Sequence, residues 1–216
     1  MVLEQVKIVD KEYGKVIVKK FLDLSSLKWL ISLPFKPFYP FTLLAEERLK
    51  REHEFFTSNH SNFKTPKVYF VDWKGKTLER EFIEGEKLSD IDIIEATENL
   101  AKTLANIHKE GWCLGDSKPS NFIRSCKEIY IVDGEQAIRS FNKSYMVWDL
   151  VILLLFLSFY KPLKATVNYM EILHRFSEKY LEVGGDLKIL NLTLKFLDIL
   201  KVKGQKVKLF LQFKAR

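Results

Sequence analysis

The sequence predicts an α+β fold in two lobes, a reduced N-terminal β lobe followed by a helical C-terminal lobe. Three observations predict it. Strand-like runs, with a helix among them, fill the first part of the chain, whereas helical patterns dominate the remainder around a short loop-strand insert. Such segregation argues against the alternating order of a doubly wound sheet. The connector Glu84-Gly85-Glu86 falls where the pattern changes, dividing the chain into residues 1–85 and 86–216. With 216 residues, 47% of them hydrophobic and 29% charged, the chain can bury a core of its own.

Each element follows from local pattern. Glu4 to Val9 alternates and Lys15 to Phe21 is β-branched, so both read as strands around a Glu12-Tyr13-Gly14 turn. Leu27 to Phe41 carries three prolines among many aromatics, which exclude a regular helix or a central strand. Two readings fit this stretch. It is an insertion packed over the small lobe, or an exposed apolar patch of Trp29, Phe35, Phe38, Tyr39 and Phe41 that docks a membrane or partner. Thr42 to Phe56 is rich in Glu, Lys, Arg and Leu and predicts a helix, broken by the polar residues Thr57 to Asn62. Lys67 to Trp73 and Thr77 to Ile83 pair as strands through Lys74-Gly75-Lys76.

After Ser89-Asp90 a helix runs to Glu110, with Ile94, Leu100, Leu104 and Ile107 spaced for one buried face. Ser117 to Ile123 reads as a loop and Glu128 to Val132 as a short buried strand. From Val147 onward helix dominates, interrupted at Gly184-Gly185. The apolar run Leu150 to Tyr160 has 11 residues, against about 20 for a membrane span, and reads as a core helix.

A formal charge of +7 and a pI near 9.2 favour polyanionic partners: nucleotides, nucleic acid or an acidic membrane face. A solvated lysine surface gives the same balance. Cys113 and Cys126 show no C-x-x-C spacing and no disulfide framework, which fits a reducing interior. The opening Met-Val-Leu-Glu-Gln-Val-Lys is too polar for the centre of a secretory signal. A cytoplasmic protein is expected, with peripheral contact at a membrane left open. The tail Lys201 to Arg216 sets basic residues among Val, Leu and Phe, and reads either as a solvated terminus or as a contact for RNA or acidic lipid.

The chemistry concentrates in Ile107 to Ala137. This block places Asp116 on a loop, Asn121 five residues later, and Asp133 just after a short apolar strand. Phosphoryl transfer needs such a set. One carboxylate orients the attacking hydroxyl or takes its proton, while a carboxylate and an amide oxygen hold a divalent metal against the phosphates. Hard oxygen ligands suit Mg²⁺ or Mn²⁺.

The pattern G-D-x-x-x-x-N-F-I from Gly115 to Ile123, followed by I-x-I-V-D from Ile129 to Asp133, resembles the catalytic and metal-binding loops of the protein-kinase superfamily. It is similar to the small atypical branch: RIO kinases, the small kinase of the KEOPS tRNA-modification complex, and lipopolysaccharide-core sugar kinases, a prokaryotic or archaeal type. Val16-Ile17-Val18-Lys19 resembles the V-A-I-K strand, whose lysine contacts the α- and β-phosphates of ATP. Arg51-Glu52 resembles the pair that gives this lysine its carboxylate partner. Thr65 to Tyr69 and Arg80-Glu81-Phe82-Ile83-Glu84-Gly85 resemble the strand and hinge that grip adenine by backbone, which points to Glu81 and Ile83. Trp148-Asp149-Leu150 resembles the helix whose aspartate braces the catalytic loop.

The resemblance implies a two-lobed protein-kinase-like fold. It implies ATP held by Lys19, Glu52, Glu81 and Ile83, metal on Asn121 and Asp133, and catalysis by Asp116 with Lys118 steadying the γ-phosphate. Lys20 competes with Lys19, but neighbours on a strand face opposite ways and Lys19 fits the motif. Glu47 and Glu54 compete with Glu52, and a solvated loop lysine is the plain alternative for Lys118. His108 is expected to pack or cap rather than catalyse, and Cys113 to be inert.

Departures from the family pattern are specific. Leu114 stands where histidine is usual, Gly134-Glu135 replaces Phe-Gly, no glycine-rich loop precedes the first clear strand, and no A-P-E segment follows Asp133. The expected function is an ATP- and metal-dependent phosphotransferase of the atypical serine/threonine protein-kinase type, acting on a protein or small-molecule hydroxyl. A sugar or lipid-headgroup kinase and a pseudokinase binding module are the rival readings.

Overall fold

The computed structural model describes residues 6–12, 14–22, 33–159 and 168–200. Trp29, Tyr13 and the tail from Lys201 lie outside the described residues.

β1 (Val6–Lys11), β2 (Gly14–Lys20), β3 (Val68–Asp72) and β4 (Thr77–Glu81) form an antiparallel sheet in the order β1-β2-β4-β3. Helix α1 (Ala45–Thr57) lies against it. Ala45 and Leu49 of this helix meet Phe21 and Leu78 in a small core of their own. The helix begins three residues after Thr42 because the Thr42 amide and carbonyl are both taken by the Gln136 side chain.

The second lobe begins with short strands. β5 (Glu86–Lys87), β7 (Phe122–Ser125) and β8 (Glu128–Ile131) form one sheet, and β6 (Trp112–Cys113) pairs with β9 (Ile138–Arg139). Four of these were not legible as strands: β5, β6 and β9 span two residues each, and β7 begins inside the expected loop. The β7–β8 hairpin turns at Cys126, whose φ is 55°. Strand β8 is less buried than expected, since only Ile131 is fully covered. Gly85 lets β5 approach β7, because a Cβ there would lie 2.1 Å from the Arg124 carbonyl oxygen.

Four helices complete this lobe: α2 (Ile93–Lys109), α3 (Lys143–Phe159), α4 (Tyr169–Glu182) and α5 (Leu187–Ile199). Asp92 caps α2 by accepting hydrogen bonds from the Ile94 and Glu95 amides. Helix α2 packs along α4, and α3 along α5, around the main core. Helix α3 starts four residues before Val147, capped by Asn142. It is apolar on nearly every face, as a helix buried in a core should be. Among the described residues no helix is long and apolar enough to cross a membrane.

The described part of the aromatic, proline-rich stretch departs from the expected packing on the small lobe. From Leu33 it runs over the helical lobe, not the small one: Phe35 and Phe41 meet Trp148, Tyr39 meets Tyr145, and Phe38 meets Phe196. Tyr39 and Phe41 are buried, which removes them from the supposed exposed patch; Phe35 and Phe38 remain partly exposed. The described aromatics of this stretch are spent on covering the helical lobe.

Candidate active site

Strand β2 turns Lys19 inward while Lys20 faces solvent. The Lys19 ammonium lies 2.6 Å from Glu52 Oε2, 3.1 Å from Asp133 Oδ1 and 3.8 Å from Glu135 Oε2. Its alternatives sort cleanly, since Glu54 is exposed and Glu47 is paired with Arg51. Burial opposes the lysine charge, but Asp133, Glu52 and Glu135 together outweigh it and hold the ammonium protonated far above the ordinary range. Burial pushes the Glu52 carboxyl up to about 7, with Lys19 pulling it back. Glu52 Oε2 also accepts from the Gly134 amide, while Oε1 is buried without a hydrogen-bond partner. Buried ion clusters are poor stability devices. Perturbed charges facing a common centre are more often functional.

Two members of this cluster were missed in the sequence. Glu135, buried behind Asp133, receives Arg48 Nη1 at 3.0 Å, and Arg48 Nη2 donates to the Leu22 carbonyl. Gly134, where the family pattern has phenylalanine, sits against Phe55 of α1: a Cβ there would lie 2.7 Å from Phe55 Cδ1. The aromatic ring at this place comes from the helix rather than from the loop.

The Asp116 loop is held from beneath. Asp149 on α3 accepts the Leu114 amide on Oδ2 and the Gly115 amide on Oδ1, each at 2.7 Å. Ser117 Oγ donates to the Asp149 carbonyl, and Trp148 Nε1 to the Gly115 carbonyl. His108 Nε2 is 3.3 Å from Asp149 Oδ2 and Nδ1 is 3.2 Å from the Tyr180 hydroxyl, so this histidine packs behind the loop. Lys118 is 2.6 Å from Asp116 Oδ2. Burial opposes its charge, yet Asp116 and the more distant Asp133 and Glu135 raise its pKa.

Asn121 closes a single 3₁₀ turn, Pro119–Asn121. Its Nδ2 donates to the Asp116 carbonyl at 2.8 Å, and its own carbonyl accepts the Val132 amide at 2.9 Å, next to Asp133. The amide nitrogen is thereby committed, which leaves Oδ1 as the atom for a cation. Among the described residues no cluster of three or more His, Cys, Asp or Glu side chains is placed to hold a metal by itself.

At the hinge, the Glu81 amide donates to the Lys67 carbonyl, and its carbonyl accepts Arg80 Nη1. Ile83 is buried, and its backbone makes no hydrogen bond among the described residues. Arg80, also missed, is buried over the Phe56 ring and donates Nη2 to the Val132 carbonyl. Burial lowers its pKa, against Glu52, Asp133 and Glu81. It fastens β4 to the residue before Asp133.

Tyr39 fastens the same centre from the other side. Its hydroxyl lies 2.9 Å from the Cys113 carbonyl and 2.7 Å from the Gln136 carbonyl, joining β6, which leads into the Asp116 loop, to the turn that follows Asp133. Cys113 is buried, which pushes its thiol pKa up, as an inert thiol requires.

The chain is similar to known proteins over different parts of its length. A curated relative, the probable serine/threonine-protein kinase BUD32 homolog of Archaeoglobus fulgidus, is 27% identical over 126 residues, 58% of this chain and 62% of its own. The chain thus spans less than two thirds of that relative's length. Among solved structures, WaaP in complex with acyl carrier protein superposes with a TM-score of 0.48 at 13% identity, over 96% of this chain and 87% of that one. A family model, the lipopolysaccharide core biosynthesis protein (WaaY), matches residues 3–146, which include Lys19, Glu52, Asp116, Asn121 and Asp133. The chain belongs to this WaaY family, within the atypical branch of the protein-kinase-like superfamily.

Proposed function

We propose that this chain transfers the γ-phosphoryl group of ATP, with Mg²⁺ or Mn²⁺, to a hydroxyl of a sugar acceptor of the lipopolysaccharide-core type. The observation that carries the reading is the buried Lys19 ammonium held between Glu52 and Asp133, beside the Asp116–Lys118 pair. The family match to a lipopolysaccharide core biosynthesis protein supports the acceptor class.

In this reading residues 1–85 bind the nucleotide and residues 86–216 carry the catalytic loops. Lys19, fixed by Glu52, takes the α- and β-phosphates. The Glu81 carbonyl and Ile83 amide face the adenine. Asn121 and Asp133 would hold the divalent metal, whose charge would offset that of the phosphates. Asp116 accepts a hydrogen bond from the acceptor hydroxyl and aims its oxygen in line. As that oxygen bonds to phosphorus, the bond to the β,γ-bridging oxygen breaks and the hydroxyl proton passes toward Asp116. Lys118 offsets charge on the group in transfer.

A second reading, transfer to a serine or threonine of a protein, is favoured by the name of the archaeal relative. Incubation with labelled ATP and lipopolysaccharide core, then with a generic protein substrate, separates the two. Asp116→Ala is expected to lower transfer by about 10³-fold. It should keep the thermal shift that Mg²⁺-ATP gives the wild type, because the nucleotide contacts remain. Undiminished transfer in this variant contradicts the role of Asp116, and the absence of any nucleotide shift in the wild type favours a pseudokinase.

A further inference from the structure

We propose that a cavity in the helical lobe is a second ligand site, which takes a small amphipathic anion. The cavity has a volume of about 320 Å³ and lies between α2, α3 and the turn that joins α4 to α5. Its size falls within the ~300–1,000 Å³ of small-molecule sites. Its lining shares no residue with the Lys19–Asp133 cluster.

The chemistry of the walls selects the ligand. Ala105, Met146 and Ile189 make an apolar floor, and the Phe141 ring stands at the mouth with 71% of its surface exposed. That ring rests on Gly111, where a Cβ would lie 2.5 Å from Phe141 Cζ, so the exposed aromatic is held in place rather than dangling. Gly185 keeps the α4–α5 turn pressed on the wall, since a Cβ there would lie 2.3 Å from Tyr180 Cδ1.

Charge at the rim is unevenly matched. Lys143 is neutralised by Asp186 at 2.7 Å, and Asp186 is further occupied in capping α5 through the Lys188 and Ile189 amides. Lys109 donates only to the Val183 carbonyl, at 2.9 Å, and has no carboxylate partner among the described residues. One unmatched ammonium above an apolar floor fits a carboxylate or phosphate carried on a hydrocarbon or aryl body.

The site is also wired to the loop beneath Asp116. His108 lines the cavity and contacts Asp149, which holds the Leu114 and Gly115 amides. Binding itself does not depend on the phosphotransferase reading and is tested without nucleotide.

The test uses the full chain and two probes, decanoate and its uncharged analogue decanol, below their aggregation limits. Decanoate at ten times its dissociation constant should raise the Tm by about 3 °C. Lys109→Met should weaken decanoate about three- to five-fold, the range for an exposed charge pair. It should leave decanol unchanged, and Lys109→Arg should restore decanoate binding. Phe141→Ala, at an exposed position, should weaken both probes. The proposal is overturned if decanoate gives no stabilisation. It is equally overturned if the shift is indifferent to Lys109→Met and Phe141→Ala, or if decanol and decanoate respond alike to Lys109→Met.

Discussion

Asp133→Asn is expected to lower phosphoryl transfer by about 10³-fold, in the range seen when one preorganised electrostatic group is lost from a transition state. The fold should survive it. Asparagine keeps an oxygen where Lys19 and the Glu135 amide find Asp133 Oδ1, and Lys19 retains Glu52 and Glu135. What the variant removes is the negative charge opposite Asn121, so a metal would be held by two neutral amide oxygens. The urea midpoint should therefore stay close to the wild type while transfer collapses. Transfer within tenfold of the wild type would place the metal elsewhere.

Lys19→Met should fail for a second reason, because it strands a buried carboxyl. Glu52 Oε2 would keep only the Gly134 amide, and Oε1 has no hydrogen-bond partner already. Removing one partner of a buried ion pair costs about 3–5 kcal/mol while the other stays charged. Glu52 escapes by protonating. Its carboxyl is pushed up to about 7 even beside Lys19, and without that cation it rises further.

A carboxyl whose pKa is higher folded than unfolded stabilises the fold at low pH, and this contribution is lost as pH climbs through the folded value. Between the ordinary carboxyl range and about 7 both proteins lose stability together. Above that the wild type levels off and the variant continues to fall, so its deficit grows with pH. Urea midpoints at about pH 6 and about pH 8.5 measure this directly. The double variant Lys19→Met/Glu52→Gln should recover much of the stability at the higher pH and none of the transfer. A deficit independent of pH would contradict the burial ascribed to Glu52.

How much of this was legible depended on whether the signal was local. Lys19, Glu52, Asp116, Asn121 and Asp133 sit in short patterns of fixed spacing, and the structure brings the two loops and the lysine to one centre. Helix α2 announced itself by apolar period, α1 and α3 by composition, and the break between α4 and α5 by Gly184-Gly185. The partners of the cluster did not. Arg48 and Glu135 lie 87 positions apart, and each alone looks like surface charge. Tyr39 meets Gln136 across 97 positions, from a stretch whose aromatics gave no hint of which lobe they would cover. Arg80 carries a charge at a place where the strand pattern gives no reason to bury one.

The two-residue strands β6 and β9 have too few positions to show a period. A buried polar network is set by tertiary contacts, and sequence spacing shows only its members that belong to a motif.

The most direct measurement is a crystal structure of the chain with Mn²⁺ and a non-hydrolysable ATP analogue. The expected result is an anomalous peak about 2.1 Å from both Asn121 Oδ1 and an Asp133 carboxylate oxygen, with the Lys19 ammonium against the α- and β-phosphates. An ion that binds away from both residues, or a nucleotide that leaves Lys19 untouched, would contradict it.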